Sequence, residues 1–269
     1  MRVLNLLVTT AVVCVLSVTA VAEQGQVIQS TELEQFLTQA KFTALKRIGQ
    51  GVTNPDKATL ELDGTTRYAV WKIIDEKKDG VTQMNRGIEI SFQDSWRTEI
   101  AAYEMDKILE LGMTPATVER VFNGVRGSVQ FWIDSKFPEA ERVKQKIQPP
   151  NVKDWNEQMF KVRLFDNLIY NNDRHLNNLL ITEDFKIRLI DHSRAFRPFS
   201  ELKEAKTLQR FSKSLLAKLK ELNEPMLKER LGKYLNPGQI QSMLKRRDAI
   251  LKIADELVKQ KGEAAVLYP

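Results

Sequence analysis

The prevailing spacing of apolar residues in this chain changes near Pro149-Pro150, and that change points to a two-part architecture. Before the prolines, short β-branched and aromatic runs are separated by turn dipeptides. Residues 42–48 run into Gly49-Gln50-Gly51, residues 57–62 alternate up to Asp63-Gly64, and residues 66–74 (TRYAVWKII) form an apolar stretch with Lys72 near its end. Alternating runs bounded by such turns predict hairpin-connected strands. Residues 95–111 depart from this, because Trp96, Ile100, Tyr103, Lys107 and Leu111 recur at helical spacing and Gly112 is placed to end a helix. Residues 118–123 and 127–133 read as strands around Asn123-Gly124. Beyond the prolines, Trp155, Met159, Val162, Phe165 and Ile169 line one face of a helix over 152–170. From Ser200 onward the chain is helical, with breaks at Asn223-Glu224-Pro225 and Asn236-Pro237-Gly238. The expected fold is α+β and bilobal: an N-terminal arm (23–41), a β-rich lobe with one helix (42–134), a polar connector (135–150) and a helical lobe (151–269). Within the first lobe, residues 75–94 are charged and read as a loop or flap.

Residues 166–196, DNLIYNNDRHLNNLLITEDFKIRLIDHSRAF, contain both histidines of the chain. Asp173-Arg174-His175-Leu176-Asn177-Asn178 precedes a predicted hairpin that turns at Glu183-Asp184 and ends in Ile190-Asp191. An aspartate, an asparagine five residues on and a second aspartate after a hairpin suit phosphoryl transfer from a metal-bound nucleotide. One carboxylate, Asp173, would orient the attacking hydroxyl. Asn178 and Asp191 would hold Mg²⁺ or Mn²⁺. Lys72, on its apolar strand, is the candidate cation for the phosphates. Glu99, on the following helix, would pair with Lys72 or bind metal directly, with Glu104 and Asp106 as weaker partners. Gly49 and Gly51 stand where backbone N–H groups can approach phosphates.

Each of these residues also has an ordinary role to weigh. Lysine in a strand commonly faces water, GxG is commonly a turn, and Asn171-Asn172-Asp173 suits a turn or a helix cap. His175 reads as a packed loop residue, and His192 has no assigned role. A hydrolytic metal centre of Asp173, His175, Asp191 and His192 is the competing chemistry. The two histidines lie on separate loop ends, however, and no zinc-binding helix motif is present.

Residues 1–22 combine a minimal basic start, an apolar run and Ala20-Val21-Ala22, so they predict an export signal rather than a retained anchor. A secreted or periplasmic mature chain would follow. The single cysteine, Cys14, falls in this segment, which leaves stability to packing rather than disulfides. The net charge of +6 is dispersed and gives no reason to expect a nucleic-acid partner. No second long apolar run suggests a membrane span. In the last seventy residues the leucines read as lobe-packing positions, and Lys245-Arg246-Arg247 reads as a solvated face.

These motifs resemble an atypical kinase group that includes the secretory-pathway kinases (Golgi casein kinase and proteoglycan xylose kinase), HipA-type kinases and phosphoinositide kinases. Asp173-Arg174-His175 with Asn178 looks like the phosphoinositide-kinase catalytic loop. The helix beginning Glu99-Ile100-Ala101-Ala102-Tyr103, and the spacing Asp191-x-x-Arg194-x-Phe196, are closer to the secretory-pathway members. The resemblance implies ATP or another nucleoside triphosphate, with adenine near Gln130, Phe131, Trp132 and Ile133. It also implies phosphate and metal contacts from Lys72, Glu99, Asn178 and Asp191, with Asp173 as base. The expected activity is phosphoryl transfer to a hydroxyl, with protein Ser/Thr preferred over a sugar or lipid headgroup. Ser193 departs from the glycine of the usual metal-binding triplet, and the cysteines of animal secretory members are missing. A pseudokinase acting as a binding module is the rival, against which the full set Lys72, Glu99, Asp173, Asn178 and Asp191 argues.

Overall fold

In a computed structural model, which describes residues 26–49, 55–84 and 87–269, one helix is shared between two hydrophobic cores. The expected export signal, Cys14 and Gly51 lie outside the described residues. Helix α1 (Thr31–Gln39) starts at Ser30, whose hydroxyl accepts from the Leu33 N–H, and it buries Leu33, Phe36 and Leu37. The polar N-terminal arm therefore closes one side of the first core. Strands β1 (Lys41–Arg47), β2 (Asp56–Leu62) and β3 (Thr65–Lys72) follow as antiparallel neighbours. Strands β4 (Asp75–Met84) and β5 (Gly87–Ser95) form a separate two-stranded ribbon, and α2 (Trp96–Leu109) continues from it. Strands β6 (Thr117–Phe122) and β7 (Val125–Phe131) complete a five-stranded sheet in the order β1-β2-β3-β7-β6.

The ribbon corrects the expectation of a loop over residues 75–94. Its outer face is solvated, with Val81, Ile88 and Ile90 exposed, so it carries no buried stripe from which a strand could be read. Its backbone ladder and its anchored base hold it instead.

Close approach of β7 to β3 depends on Gly127, where a Cβ would overlap the Lys72 carbonyl oxygen and the Trp71 ring. Gly127→Ala should therefore cost roughly 1–3 kcal/mol of stability, as overpacking does, and shift the β3 end that carries Lys72. A denaturation midpoint unchanged from wild type would contradict this.

The connector is partly ordered too, with β8 (Phe137–Pro138) and α3 (Glu139–Lys144). Helix α4 (Val152–Leu168) is capped by Asn151, which accepts from the N–H groups of Lys153 and Asp154. Strands β9 (Leu179–Ile181) and β10 (Ile187–Leu189) join β8 in the order β10-β9-β8. The chain then runs through β11 (Phe211–Ser212), α5 (Lys213–Glu221), α6 (Glu224–Leu231), α7 (Pro237–Lys261), α8 (Glu263–Val266) and β12 (Leu267–Tyr268), which pairs parallel with β11. The breaks at Asn223 and Asn236 are helix starts, and Asn236 forms a reciprocal capping box with Gln239. No described helix is long and apolar enough to cross a membrane.

Helix α2 belongs to both cores. Tyr103 packs into the sheet core, while Ala101, Ala102, Met105 and Leu109 pack into the helical one. Arg246 corrects another expectation, because it lies fully buried on α7 rather than on a solvated face. Its Nε donates to the Leu168 carbonyl at 2.8 Å, and its Nη1 donates to the carbonyls of Arg197 (3.3 Å) and Phe199.

Candidate active site

Three elements deliver the central charges. Arg47 pairs with Asp56, Asp56 with Trp71 and Trp71 with Val129 across the sheet. The end of β1 and the start of β2 therefore lie at the same end of the sheet as Lys72. Gly49, just beyond β1, is exposed, with φ 69°. Ser95 caps α2 by accepting from the Arg97 N–H, and the Trp96 N–H donates to the Ile74 carbonyl at 2.8 Å. These bonds hold the first turn of α2, which contains Glu99, against the end of β3. After β10, Asp191 adopts a left-handed conformation (φ 60°) that aspartate tolerates better than most residues.

Lys72 Nζ is ion-paired with Glu99 Oε1 and lies 2.8 Å from Asp191 Oδ1. Lys72 is 8% exposed and Glu99 is 1% exposed, so this is a desolvated cluster rather than a surface pair. Burial opposes the Lys72 ammonium, but Asp191 and Glu99 outweigh it and hold its pKa above the ordinary value. Burial also opposes the Glu99 carboxylate. The Lys72 charge and the His192 side chain overturn that and hold Glu99 well below the usual range. The His192 backbone N–H donates to Glu99 Oε2 at 3.0 Å, so both Glu99 oxygens are engaged.

Asp173 and Asn178 share one loop. Asn178 Nδ2 donates to the Asp173 carbonyl at 3.1 Å, and the Asn178 carbonyl accepts the Ile190 N–H at 3.1 Å. The loop is thereby joined to the residue before Asp191. Arg174 strengthens the joint: Nε bonds Asp166 Oδ2 at 3.0 Å, Nη1 bonds the Ile190 carbonyl at 2.7 Å, and Nη2 lies 2.9 Å from His192 Nε2. Asp173 keeps a partly exposed carboxylate, with Arg194 Nη1 3.7 Å from its Oδ2. His175 is exposed and His192 is fully buried.

The strand proposed to flank adenine leads away from this cluster. Lys72 pairs with Ser128, so Gln130 and Phe131 follow further along β7. Gln130 is buried and bonds Thr117 Oγ1, while Phe131 and Ile133 pack in the sheet core. The Trp132 N–H donates to the Tyr68 carbonyl, and its own carbonyl accepts from Gln26 of the arm.

Asp94 is a residue that sequence reasoning missed. It lies on β5, 5% exposed, beside Ser193, whose hydroxyl donates to Asp191 Oδ1 at 3.2 Å. Burial, then the Asp191 charge, push its carboxyl up to about 6 against the pull of Ser193, Lys72 and Arg194. Its Oδ1 is buried without a partner. Only its position just before a helix cap could have drawn attention to it.

No protein-family model and no curated protein matches the chain. Solved structures do. The structure of hydra Fam20 with sugar matches with a TM-score of 0.68 at 15% identity, over 88% of this chain and 91% of that one. The Golgi casein kinase matches with 0.62 at 16% identity, over 88% and 78%. The Helicobacter pylori proinflammatory kinase CtkA matches with 0.51 at 10% identity, over 84% and 98%. A β-rich lobe, a helical lobe and a Lys72–Glu99–Asp191 cluster between them are thus arranged in the bilobal fold of the Fam20-like atypical kinases.

Proposed function

We propose that the protein is a phosphotransferase that moves the terminal phosphoryl group of a nucleoside triphosphate, ATP, to a hydroxyl acceptor. The observation that carries this reading is the Lys72–Glu99–Asp191 cluster, in which a strand, a helix and a post-hairpin loop supply one cation and two anions within bonding distance. Burying the Lys72–Glu99 pair beside the partly exposed Asp191 is expensive for stability alone, since an apolar pair would pack as well. It becomes useful where dense phosphate charge must be met by a fixed cation and by metal ligands.

The donor set fits a hard divalent cation. Among the described residues no three His, Cys, Asp or Glu side chains form a metal site by themselves. Mg²⁺, however, is commonly held by one or two carboxylates together with nucleotide phosphates. Asp191 and the Asn178 amide would hold it, with the unpartnered Asp94 oxygen alongside. The cation would neutralise charge on the transferred group. Both Glu99 oxygens are already engaged, which favours its role as lysine partner over direct metal binding. Lys72 would orient the phosphates, Gly49 would offer its backbone N–H, and Asp173 would accept the hydrogen bond of the attacking hydroxyl. A protein serine or threonine is the preferred acceptor. A sugar hydroxyl is the alternative, in line with the sugar present in the hydra structure. The export signal expected at residues 1–22 would put this activity outside the cytoplasm.

ATP with Mn²⁺ should raise the melting temperature of the wild type, as any ligand that binds only the folded state must. Asp173→Ala should retain that shift while losing about 10²–10⁴-fold in turnover, the usual share of a positioned base. A shift with no turnover in either protein would favour the pseudokinase reading, and no shift at all would remove the nucleotide site.

Asp94→Asn gives a second check. The Asp94 folded pKa is raised above its ordinary 3.8, so its ionised form is disfavoured on folding. The penalty is absent below the ordinary value and complete once pH has passed the raised one. The asparagine variant should thus be more stable by roughly 1–3 kcal/mol at pH 7, with the gain vanishing near pH 4. Its melting-temperature shift with ATP and Mn²⁺ should shrink, and an undiminished shift would rule Asp94 out of the site.

A further inference from the structure

We propose that Glu89, on the β4–β5 ribbon, is a positioning residue that restrains Arg194 beside Asp173 and keeps the base free for its acceptor. The inference rests on the reading of Asp173 as the base. Glu89 accepts from Arg194 Nη2 on both oxygens at 2.5 Å, and from Asn172 Nδ2 on Oε1 at 3.0 Å. Arg197 Nη1 stands 3.8 Å from the same oxygen. Asn172 directly precedes Asp173, and Arg194 also faces Asp173 Oδ2 at 3.7 Å. One carboxylate from the ribbon thus grips two neighbours of the base.

The ribbon is well placed to do this because it is not a free flap. Gln93 Nε2 donates to the Ala195 carbonyl at 2.9 Å, the Ser95 N–H donates to the Ser193 carbonyl at 2.9 Å, and Arg197 Nη2 donates to the Ile90 carbonyl. Gln239 of α7 in turn donates to Gln93 Oε1 at 2.9 Å. Glu89 therefore holds its position from a base fixed to the segment after Asp191.

The competition at Arg194 is between two carboxylates. A guanidinium fork on Asp173 would occupy the lone pairs that an acceptor hydroxyl needs. It would also weaken the carboxylate as a proton acceptor. With Glu89 present, the close contacts go to Glu89, and Asp173 sits beyond hydrogen-bond range of the same group. Removing Glu89 leaves Arg194 with Asp173 as the nearest carboxylate, and the predicted result is a base blocked by its own neighbour.

A double-mutant cycle tests this, with γ-labelled ATP, Mn²⁺ and dephosphorylated casein as the acceptor probe, counting label transferred to casein and phosphate released to water together. Glu89→Ala should lower kcat about 10–100-fold while KM for ATP stays within about twofold. Glu89→Ala combined with Arg194→Ala should then be about tenfold faster than Glu89→Ala alone, because the blocking group is gone. Glu89→Asp should recover part of the loss. A double variant no faster than Glu89→Ala overturns the proposal while leaving the phosphotransferase reading intact. Absence of wild-type turnover overturns both. Glu89→Gln, which keeps the bond to Asn172 but not the charge, serves if the alanine variant does not fold. Loss of the melting transition in both would make Glu89 a structural residue and also overturn the proposal.

Discussion

Lys72→Met is expected to lower turnover by at least about 10²-fold and to destabilise the folded chain by about 3–5 kcal/mol at pH 7. Both effects come from the same two contacts. Without the ammonium, the fully buried Glu99 carboxylate loses its ion pair and retains the His192 N–H, while Asp191 loses the cation 2.8 Å away. The sign with pH separates this from a simple packing defect. In the wild type, the depressed Glu99 pKa contributes stability above the ordinary value of 4.5 and loses it as pH falls through the folded value. In Lys72→Met that contribution disappears, and the buried carboxyl is protonated readily. The gap between variant and wild type should accordingly be widest near neutrality and narrow in acid. Parallel denaturation curves with a constant gap from pH 7 to pH 4 would show that the pair does not behave as a coupled charge cluster.

Arg246→Ala should be the most damaging substitution away from the site, at about 3–5 kcal/mol, or roughly 6–20 °C in melting temperature for a chain of this size. Among the described residues no carboxylate pairs with Arg246, and burial pushes its guanidinium down to about 10. Three backbone carbonyls, of Leu168, Arg197 and Phe199, take the place of the anion. The Tyr170 ring lies 5.6 Å from the guanidinium carbon. Truncation would orphan those carbonyls and open a cavity beneath the segment that follows Asp191. Arg246→Lys should recover only part of the loss, because an ammonium cannot span carbonyls arranged for a planar fork. A melting temperature within two or three degrees of wild type for the alanine variant would show that the fork is not needed.

Much of the architecture was legible from the order of periodic patterns. Strand, lysine strand, helix and strand pair were readable because each buries one face, and the bilobal α+β expectation matches the fold. The spacing of Lys72, Glu99 and Asp191 suggested that they meet, and their side chains do touch. Asp94 and Glu89 were hidden because they lie on a charged ribbon whose exposure does not alternate: β5 is largely open around Glu89 and buried on every residue from Phe92 to Ser95. Strand β8 was invisible for another reason: two residues become a strand only because β9, some forty positions later, is there to pair with them. Arg246 shows how little composition says about direction. Three consecutive basic residues on a helix point to three different azimuths about 100° apart, and the fold turned the middle one inward.

Helix α2 has its feet in both cores, and this makes it a splint. Rocking of the two halves about one another would shear side chains out of one packing or the other.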